Sequence, residues 1–91
     1  MEPFKLFPSP QFLDELAYWR RHDPKIAARV GKLIEDITRD PFKGIGKPEH
    51  LKHFAPNLWS RRITDEHRLV YLVDQGKISF LQCRYHYSRW G

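Results

Sequence analysis

Cysteine is almost missing. Cys83 is the only one in 91 residues, so no disulfide can staple the chain, and a reducing cytoplasm is the expected compartment. Long apolar runs are missing too: none approaches the ~20 residues needed to span a bilayer, and the N-terminus lacks the basic, apolar and small-residue order of a secretory signal. No membrane role is expected. No Cys/His spacing of a zinc site occurs, and there is no internal repeat, linker or low-complexity tract. Gly44-Ile45-Gly46-Lys47 lacks the rest of a Walker loop, so it reads as part of a crossover from helix to sheet. Acidic residues are in deficit, with 11 Asp+Glu against 16 Lys+Arg and a formal charge of +5. A polyanion is the natural partner for such a balance.

What is present is enough to fold. With 41% hydrophobic and 14% aromatic residues against 30% charged, the chain has the large side chains that a disordered segment lacks. Its length suits one domain spanning residues 1–91, which would withdraw roughly 60–65% of its unfolded surface from water. Phe4 to Phe7, closed by Pro8, reads as a short strand at or near a sheet edge. Ser9-Pro10 is an N-cap followed by proline at the first helical position, and Phe12, Leu13, Leu16, Ala17 and Trp19 recur at helical spacing up to about Arg21. Asp23-Pro24 repeats the start signal for a second helix, whose face is Ile26, Ala27, Val30, Leu33, Ile34 and Ile37. Asp40-Pro41 ends it, and 41–48 is a loop holding Gly44 and Gly46. Strands are expected over about Leu58–Thr64, His67–Val73 and Lys77–Tyr87, with turns at 64–66 and 74–76. On the last strand, alternation puts Leu81, Cys83 and Tyr85 on one face and Gln82, Arg84 and His86 on the other. On the middle strand both faces are mostly apolar, so alternation does not set its phase. The fold class is therefore α+β: a short N-terminal strand, a two-helix hairpin and a C-terminal antiparallel β-meander, with helices on one face of the sheet and the other face free to bind.

The chemistry-bearing residues lie in the second half. They are Lys47-Pro48-Glu49-His50-Leu51-Lys52-His53, Trp59-Ser60-Arg61-Arg62-Ile63-Thr64, Glu66-His67-Arg68-Leu69-Val70-Tyr71 and Cys83-Arg84-Tyr85-His86-Tyr87. One acid, one imidazole and several fixed cations can move a proton at each end of a phosphodiester while stabilising its charge. Arg61, Arg62, Arg68, Arg84 and Arg89 concentrate positive charge there beside aromatics. Each residue also has a plainer reading. Glu49 alone would be a solvated loop carboxylate, Arg68 would pair with Asp65 or Glu66 on the turn, and His86 would be a surface histidine. His22, His50 and His67 read as structural. Glu49, His50 and His53 supply too few ligands for a metal site, and no cofactor is expected. Trp59 and Tyr71 could stack on bases, though buried anchors are the commoner use of such residues. Cys83 reads as a small buried hydrophobe rather than a nucleophile.

Those spaced motifs, with Tyr18-Trp19 and Asp40-Pro41-Phe42 upstream, closely resemble the YoeB/Txe toxins of the RelE/ParE toxin-antitoxin superfamily over nearly the whole chain. The resemblance implies a RelE-like microbial RNase fold and an endoribonuclease that enters the ribosomal A site and cleaves the mRNA there. It also implies neutralisation by a cognate YefM/Axe-like antitoxin whose tail wraps the toxin. Members of this branch are commonly homodimers. By the same resemblance Glu49 corresponds to the general base, His86 to the general acid and Arg68 to the cation on the reacting phosphate. Tyr87, Lys52, His53 and Arg62 fall on supporting or RNA-contacting positions. In this sequence Ser88-Arg89-Trp90-Gly91 extend past Tyr87, a departure that bears on how Tyr87 is oriented; Pro8 and Pro10 also depart from the usual pattern.

The residue types suit metal-free RNA cleavage, in which the ribose 2′-hydroxyl attacks the adjacent phosphorus. A carboxylate is ionised at neutral pH and can take the hydroxyl proton. An imidazole must be protonated to donate to the departing 5′-oxygen, and a nearby phosphate favours that form. Arginine can hold two non-bridging oxygens and keeps its charge. Two other functions share the scaffold: a non-catalytic ParE-like toxin inhibiting a protein such as gyrase, and a plain basic RNA-binding domain.

Overall fold

Two serine/aspartate-proline signals set the helical half of the molecule. The structure is a computed structural model describing residues 3–85. Helix α1 (Pro10–His22) starts behind Ser9, whose Oγ accepts the Phe12 N–H at 3.0 Å and donates to the Leu81 carbonyl at 3.0 Å. The same cap thus begins the helix and ties it to the sheet. Asp23 closes α1 with an N–H to Trp19 O at 2.8 Å and caps α2 (Pro24–Arg39) through Oδ1, 3.4 Å from the Ile26 nitrogen. One residue therefore makes the whole helix-to-helix turn.

The remaining elements are strands: β1 (Lys5–Pro8), β2 (Glu49–His50), β3 (Leu58–Arg62), β4 (Arg68–Asp74) and β5 (Lys77–Gln82). They form one sheet in the order β1-β5-β4-β3-β2, antiparallel except for the parallel pairing of β1 with β5. The expected α+β architecture is therefore present, with β1 at one edge and a fifth strand, β2, at the other. Glu49 lies in that strand and not in the loop where the sequence placed it; two residues between Pro48 and Leu51 are too few to show alternation.

Period-two alternation sorts the sheet into two faces. Leu69, Tyr71, Ile78 and Phe80 pack against Phe12, Trp19, Val30, Leu33 and Ile37 of the helices. Val70, Leu58 and Leu51 form a second cluster with Leu72, Leu81 and Ala55 on the opposite face. That face is therefore partly roofed by the segment 51–57 rather than wholly open, and the apolar character of β4 on both sides has its reason.

Strand β5 ends sooner than its alternation suggests. Val70 pairs with Gln82 but Tyr71 with Phe80, so Leu81 is an extra residue, a bulge. The bulge leaves Leu81 in the second cluster and Cys83 in the helix-side core. Leu81 and Cys83 consequently do not share a face, contrary to the sequence reading, and residues 83–85 have left the ladder.

One side chain fastens the helices, the 40–46 loop and the sheet together. Arg61 is fully buried, and its five N–H donors reach Tyr71 Oη (3.1 Å), Asp36 Oδ2 (2.7 Å) and the carbonyls of Ile45 (2.9 Å), Asp40 (2.7 Å) and Lys43 (3.1 Å). The Tyr71 hydroxyl passes its own proton to Pro41 O at 2.7 Å. Arg61 is thus not part of an exposed basic patch; it lies in the Trp59-Arg61-Ile63 row, which faces the helices. The loop closes so tightly over this group that a β-carbon on Gly44 (φ +135°) would land on Asp36 Oδ2. Gly46 ends the loop by accepting the Arg62 N–H at 2.6 Å, which brings the chain alongside β3 just before Glu49.

Removing this guanidinium strands a carboxylate, a phenol and three carbonyls. Arg61→Ala should cost about 3–5 kcal/mol, the range for breaking one side of a buried ion pair, as measured by urea unfolding. The Arg61 hydrogen bond and the Ile45 N–H hold Asp36 below its ordinary value of 3.8. A lowered acid pKa contributes stability that is complete above that value and is lost as pH falls through the folded one. The stability gap between the natural chain and Asp36→Asn should therefore be widest near neutral pH and shrink below about pH 4.

Candidate functional site

The sheet register carries several predicted residues onto one face. Glu49 pairs with Ser60, Ser60 with Val70, and Val70 with Gln82, so these four form a row from β2 to β5. Val70 belongs to the cluster away from the helices, which puts the Glu49 side chain on that face as well. Arg62 pairs with Arg68 in the next row, two residues along both strands. Glu49 and Arg68 are thus separated by two strand spacings, about 10 Å, across the sheet and two residues, about 7 Å, along it. Between them the floor is formed by two small side chains, Ser60 and Val70, both buried. Long side chains standing on either side of such a floor can reach a common object.

Two arginines directly opposite each other repel, and the cost must be met by an anion or by backbone dipoles. Arg62 is 3.8 Å from the exposed Asp65 carboxylate, which is worth little in water. Arg68 sends Nη1 to the carbonyls of Thr64 (2.6 Å), Asp65 (3.0 Å) and His67 (3.1 Å). The turn supplies main-chain oxygens rather than the Asp65 or Glu66 carboxylate that the plainer reading of Arg68 required. One edge of the guanidinium is fixed by those bonds, and Arg68 has no carboxylate partner among the described residues. A half-buried, oriented cation beside a second one favours a doubly coordinated anion.

The other predicted residues are distributed as follows. Lys52 and His53 are exposed in the 51–57 connection. His50 alternates away from Glu49: its ring stacks on Trp59 at 4.6 Å and 5°, and Nε2 lies 2.6 Å from Pro56 O. Glu49 and His50 therefore do not converge on one ion. Trp59 is half-buried between His50 and Phe42. His86 and Tyr87 lie outside the described residues.

Residues 8–87 match the family described as YoeB-like toxin of bacterial type II toxin-antitoxin system. The chain belongs to this family. Toxin YoeB of Escherichia coli K12 is 48% identical over 83 residues, which cover 91% of this chain and 99% of that protein. A YoeB/ParE toxin from Agrobacterium tumefaciens superposes with a TM-score of 0.87 at 41% identity, covering 92% of this chain and 100% of the other. The Staphylococcus aureus YoeB, 40% identical, superposes as a dimer with a TM-score of 0.84 and within a heterotetrameric YoeB-YefM complex with 0.81; both cover 92% of this chain and 98% of theirs.

In the toxin the segment after β5 is held by side chains where the ladder has stopped. Glu15 Oε1 accepts the Cys83 N–H at 2.7 Å, and Trp19 Nε1 donates to Cys83 O at 2.9 Å. Gln82 Nε2 donates to Arg84 O at 3.1 Å. The Tyr85 N–H donates to His67 Nδ1 at 2.8 Å, and Tyr85 O accepts the Arg68 N–H at 3.1 Å. Arg84 spends its charge on aromatic faces, 3.7 Å over Tyr18 and 4.8 Å over Tyr85. Sequence reasoning left His67 as structural and gave Glu15 no role, because both meet partners far along the chain and no local signal points to them.

Cys83 is fully buried, and burial, with the Glu15 charge second, pushes its thiol up to about 12. It should not act as a nucleophile. Native toxin should react with a thiol reagent at least about 100-fold more slowly than denatured toxin, the expected contrast for a protonated, inaccessible thiol.

Proposed function

We propose that this toxin is a ribosome-dependent endoribonuclease that cleaves mRNA in the A site by metal-free acid-base catalysis. The observation that carries the reading is the shared face of Glu49 and Arg68, separated by the small buried residues Ser60 and Val70 and joined by the opposed Arg62. Glu49 takes the proton from the ribose 2′-hydroxyl. That oxygen attacks phosphorus, Arg68 holds the non-bridging oxygens as charge builds, and His86 gives a proton to the departing 5′-oxygen. The products are a cyclic phosphate and a free 5′-hydroxyl. Arg68 is suited to this because the turn carbonyls already orient it, so little reorganisation is needed when charge develops.

His86 enters the scheme by its position in the chain. It follows Tyr85, whose carbonyl accepts the Arg68 N–H, and the resemblance assigns it the acid role. Tyr87, Lys52, His53 and Arg62 are assigned supporting contacts to RNA. The kinship with a toxin solved in a YoeB-YefM complex and as a dimer supports a YefM-like antitoxin as partner, homodimer formation and action in the bacterial cytoplasm.

Purified ribosomes carrying a defined mRNA test the reading, with 5′ ends mapped after addition of the toxin. A-site cuts are expected. Glu49→Ala and His86→Gln should abolish them and relieve growth arrest while leaving antitoxin binding intact. Arg68→Ala should lower the rate about 10²–10³-fold, the usual loss of one preorganised donor to a transition state. Unaltered cutting by the Glu49 and His86 variants would remove the assigned roles, and arrest through gyrase with no mRNA cut would replace the function.

A further inference from the structure

Residues 83–85 are an unusual length of backbone. They follow a bulge, belong to no strand, and have their polar groups met by side chains from α1, β5 and the start of β4. Tyr85 itself has φ +68°, a left-handed conformation that a tyrosine does not adopt without something to hold it. Two bonds do so. The Arg68 N–H takes its carbonyl, and His67 Nδ1 takes its N–H at 2.8 Å. The first is an ordinary main-chain bond. The second depends on one imidazole and on which of its nitrogens is bare.

We propose that His67 is a positioning residue: its unprotonated Nδ1 holds the Tyr85 peptide in its left-handed turn and so sets the direction in which the chain leaves Arg68 toward position 86. The inference deepens the cleavage reading and rests on it only for its kinetic consequence.

The surroundings favour the required form of the ring. His67 lies edge-on against Trp19, ring centroids 4.8 Å apart, and its carbonyl receives the Ile63 and Thr64 N–H groups, so the residue is pinned on both sides. Burial lowers its proton affinity first of all. The carboxylates of Glu66 on the turn and Glu15 on α1 act the other way, and the Arg84 and Arg68 cations add to the lowering. A histidine with a lowered folded pKa keeps its neutral form more readily than a free one, and its contribution to stability is lost as pH falls below 6.5 toward the folded value. Protonation would set an N–H against the Tyr85 N–H and release the turn.

The test uses the full chain with two substitutions that separate ring from acceptor. His67→Phe keeps an aromatic ring against Trp19 and deletes the acceptor; His67→Asn shrinks the ring away but returns an acceptor oxygen close to the Nδ1 position. Amide exchange at Tyr85, read by NMR, should speed up at least about tenfold in the Phe variant and stay near the natural rate in the Asn variant, as for loss and retention of one structural hydrogen bond. On ribosomes kcat should drop about 10- to 100-fold in the Phe variant with KM nearly unchanged, the signature of a misplaced catalytic group, and recover in the Asn variant. The acid-side fall in kcat that His67 imposes should also be missing from the Asn variant. Unchanged Tyr85 exchange in the Phe variant overturns the proposal. So does released Tyr85 with unchanged kcat, or an equal loss in both variants, which would mean that only ring packing matters. If the natural chain cuts no mRNA while Tyr85 exchange follows the expected pattern, the cleavage reading falls and the His67 anchor stands.

Discussion

Everything in this molecule is arranged around a guanidinium that water does not reach. A buried arginine has five donors to satisfy, and leaving even one without a partner costs more than the bond would have gained. Arg61 meets that demand with acceptors from α2, from the loop at 40–45 and from Tyr71 in β4. Three of the five acceptors are loop carbonyls, so satisfying the guanidinium constrains the loop conformation. A lysine, with three donors on a point charge, could not impose the same constraint. The consequence reaches the functional face: the loop ends with Gly46 bonded to Arg62, and the next residues pair with β3 as a two-residue strand carrying Glu49. A buried ion pair adds little net stability compared with an apolar substitute. Here it is better understood as fixing where the proposed base stands.

The candidate functional face is built from the parts of the sheet that are least strand-like. Glu49 sits on an edge strand of two residues, Arg68 at the first residue of β4, and Tyr85 beyond a bulge that ends β5. This follows from the geometry of a sheet with helices on one side. Regular ladder positions on the opposite face, Leu58, Val70 and Leu72, are taken up by the second apolar cluster. Only where strands begin, end or bulge can a long polar side chain be offered to solvent without breaking that cluster. Both Arg68 and the 83–85 segment are then oriented by carbonyls and side chains, which replace the missing ladder.

How much of this could be read beforehand depended on the range of the interaction concerned. Helices α1 and α2 were legible nearly to the residue because Ser9-Pro10, Asp23-Pro24 and the 3.6-residue apolar stripe are local signals. The neighbouring Arg61 and Arg62 were read together as cationic surface, yet they face opposite sides of β3. The sign was available: Trp59, Arg61 and Ile63 alternate with Leu58, Ser60 and Arg62, and a row with Trp and Ile in it points to the core. The bulge at Leu81 left no such sign, since it is set by pairing with β4 and not by the composition of β5. Glu49 could be singled out by family likeness, but its strand could not, because pairing at an edge is decided by the partner strand. His67 is the clearest case of a long-range role, as its acceptor nitrogen meets a peptide 18 residues away.

A domain this small cannot make every part of itself equally firm, and the distribution of its contacts shows where the softness was left. Among the described residues the helices and the strands, with Ile63 and Cys83 just beyond them, share eleven buried core residues, whereas Glu49 lies on an edge strand of two residues and Tyr85 beyond the end of β5, where His67 Nδ1, the Arg68 N–H and Gln82 Nε2 are among the groups that meet its peptide. Local opening therefore needs far less free energy at the functional face than in the core. Such a face can be reshaped by whatever binds it.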